Sequence, residues 1–491
     1  MHMTVFNSTT WQILAEQDQL IELTRGQFGL EIEAHRITND GHFSRHPHPE
    51  SIAPRAVHPY IQTDYSDTQS ELVTEPAGSF TEARQRLAQL QWIFRRALQP
   101  NEAIWPLSMP PHLDDTDLNW LDTTFGRPWV QDYRDWLRVK YGPTHEVMTG
   151  PHINFSISAN LIDALFAAAT ETDKVAFTNA LYFRFAQNFA AHRWLFIYLF
   201  GAAPFNFNTT DSRIPNDLPQ PVRSIRDSEY GFTNDPDIHL DYDVDLAHSI
   251  AVMKQYIKAG QLFSPHEFYG TVRFKGYENE DKLLTNGVKY LELRVLDTDP
   301  FNPMGIPRDG LNTIQLLLMQ FIVSDRQYTP AELHHYDALA KAVALQHPRE
   351  PLPAELLGEA LTLLEDLREI DGYFNLNRAG DLEVMEDRLL NPSHTLANRL
   401  ISVAPTAEAL HQWAIDQATI RQADFHKTTL LDANSLFVAA PLRDLHIAAL
   451  VHGAKVLSAK DDELILSVGD HREVITTKQE LFDLFPELKQ D

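Results

Sequence analysis

Between residues 28 and 35 the chain alternates without a break. Phe28, Leu30, Ile32 and Ala34 are apolar, and Glu31, Glu33 and His35 take the other positions. Successive side chains of a strand point to opposite faces, so this spacing predicts a strand that packs on one side and presents two carboxylates and an imidazole on the other. The alternation returns at His152 to Ser158, where Ile153, Phe155 and Ile157 are set against His152, Asn154 and Ser156. It returns at Glu267 to Lys275, with Glu267, Tyr269, Arg273 and Lys275 on one face, and at Leu291 to Val295, where Glu292 and Arg294 oppose three aliphatics. A further segment, Gln62 to Thr74, carries Asp64, Asp67 and Glu71. An acidic, solvated strand face explains any one of these. Several in one chain, with basic partners, point to a site.

Between the strands the period becomes helical. Residues 8–26 predict a helix, Ser79 and Glu82 form a capping box opening a long amphipathic helix to Leu98, and 172–200 reads as one aromatic helix. A helix over 245–259 stops at Gly260. After Pro300 the pattern is helical to about residue 420, including a helix opened by Thr329-Pro330-Ala331-Glu332, a capping box with proline first. Residues 36–60, 105–111 and 204–245, rich in Pro, His, Asn and Asp, are connections. Residues 426–491 change style, with a strand at 435–440, a helix at 442–452, strands near 455–458, 462–468 and 472–476, and a short last helix. The expectation is an α+β unit over 1–425, its mainly antiparallel sheet presenting a polar open face, and a small appended α/β unit over 426–491.

Composition narrows the partners. The 491 residues are 43% hydrophobic and 10% aromatic, enough for a large core. With 41 basic and 68 acidic residues the formal charge is −27, which disfavours nucleic acid and anionic membranes. The chain has no cysteine, which excludes disulfides, thiolate ligands and cysteine nucleophiles and fits a reducing cytoplasm. The N-terminus lacks a signal-peptide pattern, and the most apolar run, Trp194 to Ala203, falls short of the ~20 residues of a membrane span. A soluble, cytoplasmic enzyme with small-molecule partners is expected; oligomeric state is not set by these patterns. GxxxxGK[ST], HExxH, GxGxxG after a strand and GxSxG are all absent. The strand faces would instead gather Glu31, Glu33, Asp64, Glu71, His152 and Glu292 beside Arg273, Lys275 and Arg294. Such carboxylates repel unless divalent cations bind, and cations with Arg and Lys are what a triphosphate requires.

The same residues carry a resemblance. Gly29-Leu30-Glu31-Ile32-Glu33 resembles the G-[IL]-E-x-E strand of the glutamate–cysteine ligases (γ-glutamylcysteine synthetases), in the bacterial group that includes the first half of bifunctional glutathione-synthesising enzymes. Thr63-Asp64-Tyr65 through Glu71-Leu72, Trp105 to Pro110, Gly150 to Ser156, Arg226 with Tyr230 to Asn234, Tyr269 through Lys275, and Tyr290 to Arg294 with Leu296-Asp297 resemble further motifs of that family, in order. Asn391-Pro392, Thr395 and Arg399-Leu400 extend the likeness towards residue 420.

The resemblance implies a glutamine-synthetase-like fold, a curved antiparallel sheet with a concave active face ringed by helices. It implies Glu31, Glu33, Asp64, Glu71, His152 and Glu292 as ligands of magnesium or manganese, and Arg273, Lys275 and Arg294 on the phosphates of ATP. Glu292 and Arg294 would be catalytic, and Tyr141, Arg226, Phe232 and Tyr269 would surround the acceptor amino acid, with Arg226 on its carboxylate. The implied reaction joins the γ-carboxylate of L-glutamate to the amine of L-cysteine through a γ-glutamyl phosphate, the first step of glutathione biosynthesis. Two alternatives stand beside it: a γ-glutamyl ligase for another amino acid or amine, and a non-catalytic nucleotide- and metal-binding homologue. Three departures bear on the acceptor: Phe232 where some members carry Tyr, Asp299 in place of Asn, and Asp67 in place of a longer acid. Glu75, Asp67, His35 and His145 are read as structural or solvated. Residues 442–475 faintly resemble the start of an ATP-grasp half, which implies a product that is the dipeptide and not glutathione.

Overall fold

A computed structural model of the chain describes residues 5–49, 60–121, 128–142, 144–208, 213–238, 242–277 and 279–427, and most of 445–488. One sheet contains seven strands: β1 Gly26–Thr38, β2 Ile61–Thr63, β3 Gln69–Val73, β4 Glu102–Ile104, β5 Pro151–Ile157, β6 Val272–Lys275 and β7 Tyr290–Leu293. Their order is β2-β3-β1-β5-β7-β6, with β4 also paired to β1, and every pairing is antiparallel. The long strand β1 is central because both of its edges are bonded. Its apolar positions dictate which face packs: Phe28, Leu30 and Ile32 are buried, and Phe28 meets Phe80 at 4.5 Å and Phe155 at 5.6 Å between ring centroids. Phe155 continues the stack to Phe185 at 5.6 Å. Helices Phe80–Ala97, Lys174–Ala191 and Arg308–Val323 cover this face, the last buried along nearly its whole circumference, as a core helix must be. No helix among the described residues is long and apolar enough to cross a membrane.

Several expected elements are modified. The helix over 8–26 is two pieces, Thr9–Glu16 and a 3-10 turn at Leu20–Thr24, because Asp18 adopts φ 56° and Gly26 already begins β1. The helix over 172–200 divides at His192, whose ring nitrogen Nδ1 bonds the Asn188 carbonyl at 2.7 Å while its backbone leaves helical geometry; a second helix runs Arg193–Phe200. In the Ser79 cap the hydroxyl accepts from Glu82 N as expected, but the Glu82 carboxylate reaches back to Gly78 N at 3.2 Å. The largest correction concerns 267–275. Only Val272–Lys275 is strand; Pro265–Glu267 forms a 3-10 turn capped by Ser264, and a side chain at Gly270 would collide with the ring of Phe268 at 2.2 Å. Glu267 therefore does not share a face with Arg273.

Helices fill 308–427, and Thr329 with Glu332 forms the predicted capping box. A second sheet joins β8 Lys455–Lys460, β9 Glu463–Val468 and β10 His471–Ile475. It packs Leu464, Leu466 and Ile475 against Leu481 and Phe485 of the closing helix Lys478–Leu484 and its end. The strand expected at 435–440 lies outside the described residues, and the helix at 442–452 is described only in part.

Candidate active site

Sheet register converts the separated motifs into rows, because directly opposed residues of an antiparallel pair share a face. Glu33 of β1 stands opposite Glu71 of β3. Glu31 stands opposite His152 of β5. Gly29, Asn154, Glu292 and Arg273 line up across β1, β5, β7 and β6. A side chain at position 29 would be crowded, since its Cβ would lie 3.2 Å from that of Asn154. Asn154 donates to Glu31 at 2.6 Å, fixing that carboxylate. The Nδ1 of His152 is 3.3 Å from Glu31, 3.8 Å from Glu33 and 4.0 Å from Glu292. Ligand atoms of Glu31, His152 and Glu292 lie within 4.8 Å of one another, the spacing of groups that share one cation. Asp64, just past β2, is exposed at the rim, its backbone carbonyl accepting from Arg134.

The electrostatics divides this face in two. Burial, with Asp64 and Glu31 adding like charge, pushes Glu33 up to about 8. Burial and the surrounding carboxylates, Glu31 first, also raise Glu71 well above the ordinary range. Burial acts on Glu292 too, but Arg294, Lys275 and Arg273 outweigh it and hold its carboxyl below the ordinary value. Lys275 Nζ is 2.8 Å and Arg294 Nε 3.3 Å from Glu292. Arg273 is less free than expected: its donors go to the carbonyls of Phe268 at 2.8 Å and His266 at 2.7 Å, so it braces the turn beside the basic end. Burial and then Arg294 depress His152, which favours the neutral imidazole a metal ligand needs. Glu33 and Glu71 thus favour their protonated forms until positive charge arrives, and oxygen donors around one imidazole are a donor set that can hold a divalent cation.

The four residues expected around an acceptor gather beyond Arg294. Phe232 and Tyr269 lie 4.5 Å apart, and the Arg294 guanidinium sits 5.4 Å over the Phe232 ring. Tyr141 is buried, its hydroxyl donating to Glu267 at 2.8 Å and accepting from Asn234 at 3.1 Å. Arg226 is buried beside Asp227 and Asp297 and donates to the Leu296 carbonyl at 3.2 Å. Its place depends on Gly150, where a Cβ would come within 2.5 Å of the guanidinium.

The family model described as glutamate-cysteine ligase matches residues 11–342, a span that contains every row above. The chain belongs to the glutamate–cysteine ligase family. The glutathione biosynthesis bifunctional protein of Streptococcus thermophilus is 34% identical over 412 residues, covering 83% of this chain and 53% of that protein. The counterpart from Pasteurella multocida is 32% identical over 483 residues, 94% of this chain and 62% of its own length. The chain therefore spans little more than half of these relatives. Among solved structures, a bifunctional glutathione synthetase from Pasteurella multocida superposes with TM-score 0.81 at 29% identity, covering 94% of this chain and 61% of that one. A glutamate–cysteine ligase from Francisella tularensis in complex with AMP shares the fold, with TM-score 0.75 at 24% identity and coverage of 87% and 94%.

Two carboxylates beside Tyr141 and Tyr269 are not among the expected site residues: Glu146 is not singled out by the sequence, and Glu267 is placed there only as a member of a strand face. Glu146 accepts from the Tyr269 hydroxyl at 3.0 Å and pairs with His145 at 2.8 Å. Glu267, fully buried, accepts from Trp136, Lys140, Tyr141 and the Phe263 amide, all within 2.9 Å. The available signal was position alone: Tyr141 to Glu146 immediately precedes the Gly150 to Ser156 strand. Of the residues set aside, His35 is buried, bonded to the Val147 carbonyl at 2.7 Å, and pushed down to about 4 by that burial. Glu75 meets Tyr60 and Arg86, and Asp67 lies 3.6 Å from Arg36. His145 lies inside the aromatic group, stacked on Tyr141 at 4.8 Å and Phe232 at 5.3 Å.

Proposed function

We propose that this chain is an ATP-dependent ligase that joins the γ-carboxylate of L-glutamate to the amine of L-cysteine through a γ-glutamyl phosphate. The observation carrying the reading is the convergence of Glu31, His152 and Glu292 within 4.8 Å beside Lys275 and Arg294 on one sheet face. This face is read as the concave wall of a glutamine-synthetase-like sheet, and 426–491 as a separate appended unit.

Glu31, Glu33, Asp64, Glu71, His152 and Glu292 are assigned to magnesium. Once bound, the metal supplies positive charge that polarises the terminal phosphoryl group of ATP. Lys275 and Arg294, already held by Glu292, are assigned to the charge that would develop on that group during transfer, and their fixed positions would keep reorganisation small. A cavity of about 670 Å³ beside Arg273 and Lys275, lined by Tyr242, Leu246, Met253, Phe274 and Tyr290 among others, has the size and apolar walls to take the nucleoside. A carboxylate resists amines; as an acyl phosphate it accepts attack by the cysteine nitrogen and releases phosphate. Arg226 is assigned to the acceptor carboxylate, and Tyr141, Phe232 and Tyr269 to its side chain. The test is ADP release from ATP, glutamate and magnesium with cysteine, alanine or 2-aminobutyrate. Cysteine should give by far the highest kcat/KM; equal rates with all three would overturn the acceptor assignment, and no ADP with any would overturn the ligase.

A further inference from the structure

We propose that a halide-sized inorganic anion binds between Arg95 and Arg421, in a cavity behind β1 that lies apart from the face described above. The cavity is about 30 Å³ and is lined by both arginines together with Gln91, Trp105 and Met304, and by Ile32 and Ala34 from β1. A water needs roughly 10–15 Å³ of such space, so the volume suits one chloride or bromide and excludes a nucleotide or a peptide.

The electrostatic argument is independent of the ligase reading. Arg95 ends the helix Phe80–Ala97 and is 6% exposed. Its Nε and Nη1 make no hydrogen bond, and its guanidinium lies 4.7 Å over the ring of Phe425. Among the described residues, no Asp or Glu forms an ion pair with it. Arg421 donates to the Pro300 carbonyl, and Asp299 acts on it only through space. Burial and the neighbouring charge of Arg421 draw Arg95 down to about 9, so it still carries its proton at neutral pH. A buried cation without a counter-ion is strongly unfavourable, and a second like charge on the same wall compounds it. One anion between the guanidiniums would accept from the unbonded Arg95 donors and offset one of the two positive charges. It would also tie the end of the helix Phe80–Ala97, the helix Ala407–Lys427 and the turn through Gly305 to the back of β1, opposite Glu31 and Glu33.

The test has two arms on the full chain. Bromide-soaked crystals should give an anomalous peak between Arg95 and Arg421. In solution, ³⁵Cl NMR line broadening should fall at least two-fold in Arg95→Met, and the wild type should gain about 1 °C in Tm for each tenfold of chloride over matched gluconate. Arg95→Met, with an unchanged circular dichroism spectrum, should show no such gain. No bromide peak at this position, or equal broadening in wild type and Arg95→Met, overturns the proposal. If the variant fails to fold, the bromide arm decides alone.

Discussion

Glu33 is 8% exposed, with Asp64 and Glu31 adding like charge to that burial, which is why its carboxyl is raised from 4.5 to about 8. In the unfolded chain it ionises near 4.5, so the folded state binds the extra proton between those values. The linkage sign is therefore negative with rising pH: the Glu33 contribution is present below pH 4.5 and is lost as pH rises through 8. At about 1.4 kcal/mol per pH unit, the loss across that window is on the order of 3–5 kcal/mol without divalent cations. Glu292, held below its ordinary value, adds a slope of opposite sign near pH 4.5 and is ionised in both states above about pH 6, so it cancels in the comparison of wild type with a Glu33 variant. Glu33→Gln keeps the shape and removes the charge. In EDTA at pH 8 the variant should be more stable than wild type by about 2–4 kcal/mol, and at pH 4.5 the two should be nearly equal. Urea denaturation followed by tryptophan fluorescence reads both. Saturating magnesium should reverse the order at pH 8, because the wild type has the fuller carboxylate set. A variant less stable than wild type in EDTA at pH 8, or a difference between the two that does not grow between pH 4.5 and 8, would refute the reasoning.

Arg294→Ala should lower kcat for ADP release by about 10²–10³ while the far-UV spectrum is unchanged, the scale of losing one preorganised donor. Gly150→Ala places a methyl 2.5 Å from the Arg226 guanidinium and should raise KM for the acceptor about ten-fold or more with KM for ATP unaltered, by steady-state kinetics. Glu267→Ala strands Lys140, Tyr141 and Trp136 without their shared acceptor and should cost about 3–5 kcal/mol in urea denaturation.

What was legible in the chain was whatever depends on near neighbours. Alternation at Phe28 to His35 and at His152 to Ser158 gave the face that packs on the apolar core, because side-chain direction is local to a strand, but not that Glu33, His35 and His152 on the other face are buried as well. Capping at Thr329 was legible for the same reason. Register was not: nothing in either segment says that Glu31 faces His152 rather than Asn154. The 267–275 pattern misled because Glu267 satisfies alternation, yet its partners Lys140 and Tyr141 are over a hundred residues away and hold it in a turn. Arg95 stands in a helix's last turn, and its burial beneath the ring of Phe425 is set by a segment far away in the chain that no local pattern marks.

The strand that opens the sheet explains why an arrangement this unfavourable persists. Like-charged carboxylates on adjacent strands oppose folding, and a flexible loop would relieve the repulsion by moving them apart. On β1 they cannot separate, because Phe28, Leu30 and Ile32 are locked into the core from the other face and both edges of the strand are bonded. Truncating one such core phenylalanine costs about 3–5 kcal/mol, the same scale as the charge penalty at Glu33. The apolar face thus holds the carboxylates at cation-binding distance before any cation arrives. It follows that a core substitution such as Phe28→Leu should weaken magnesium affinity as well as stability, since the two faces share one backbone.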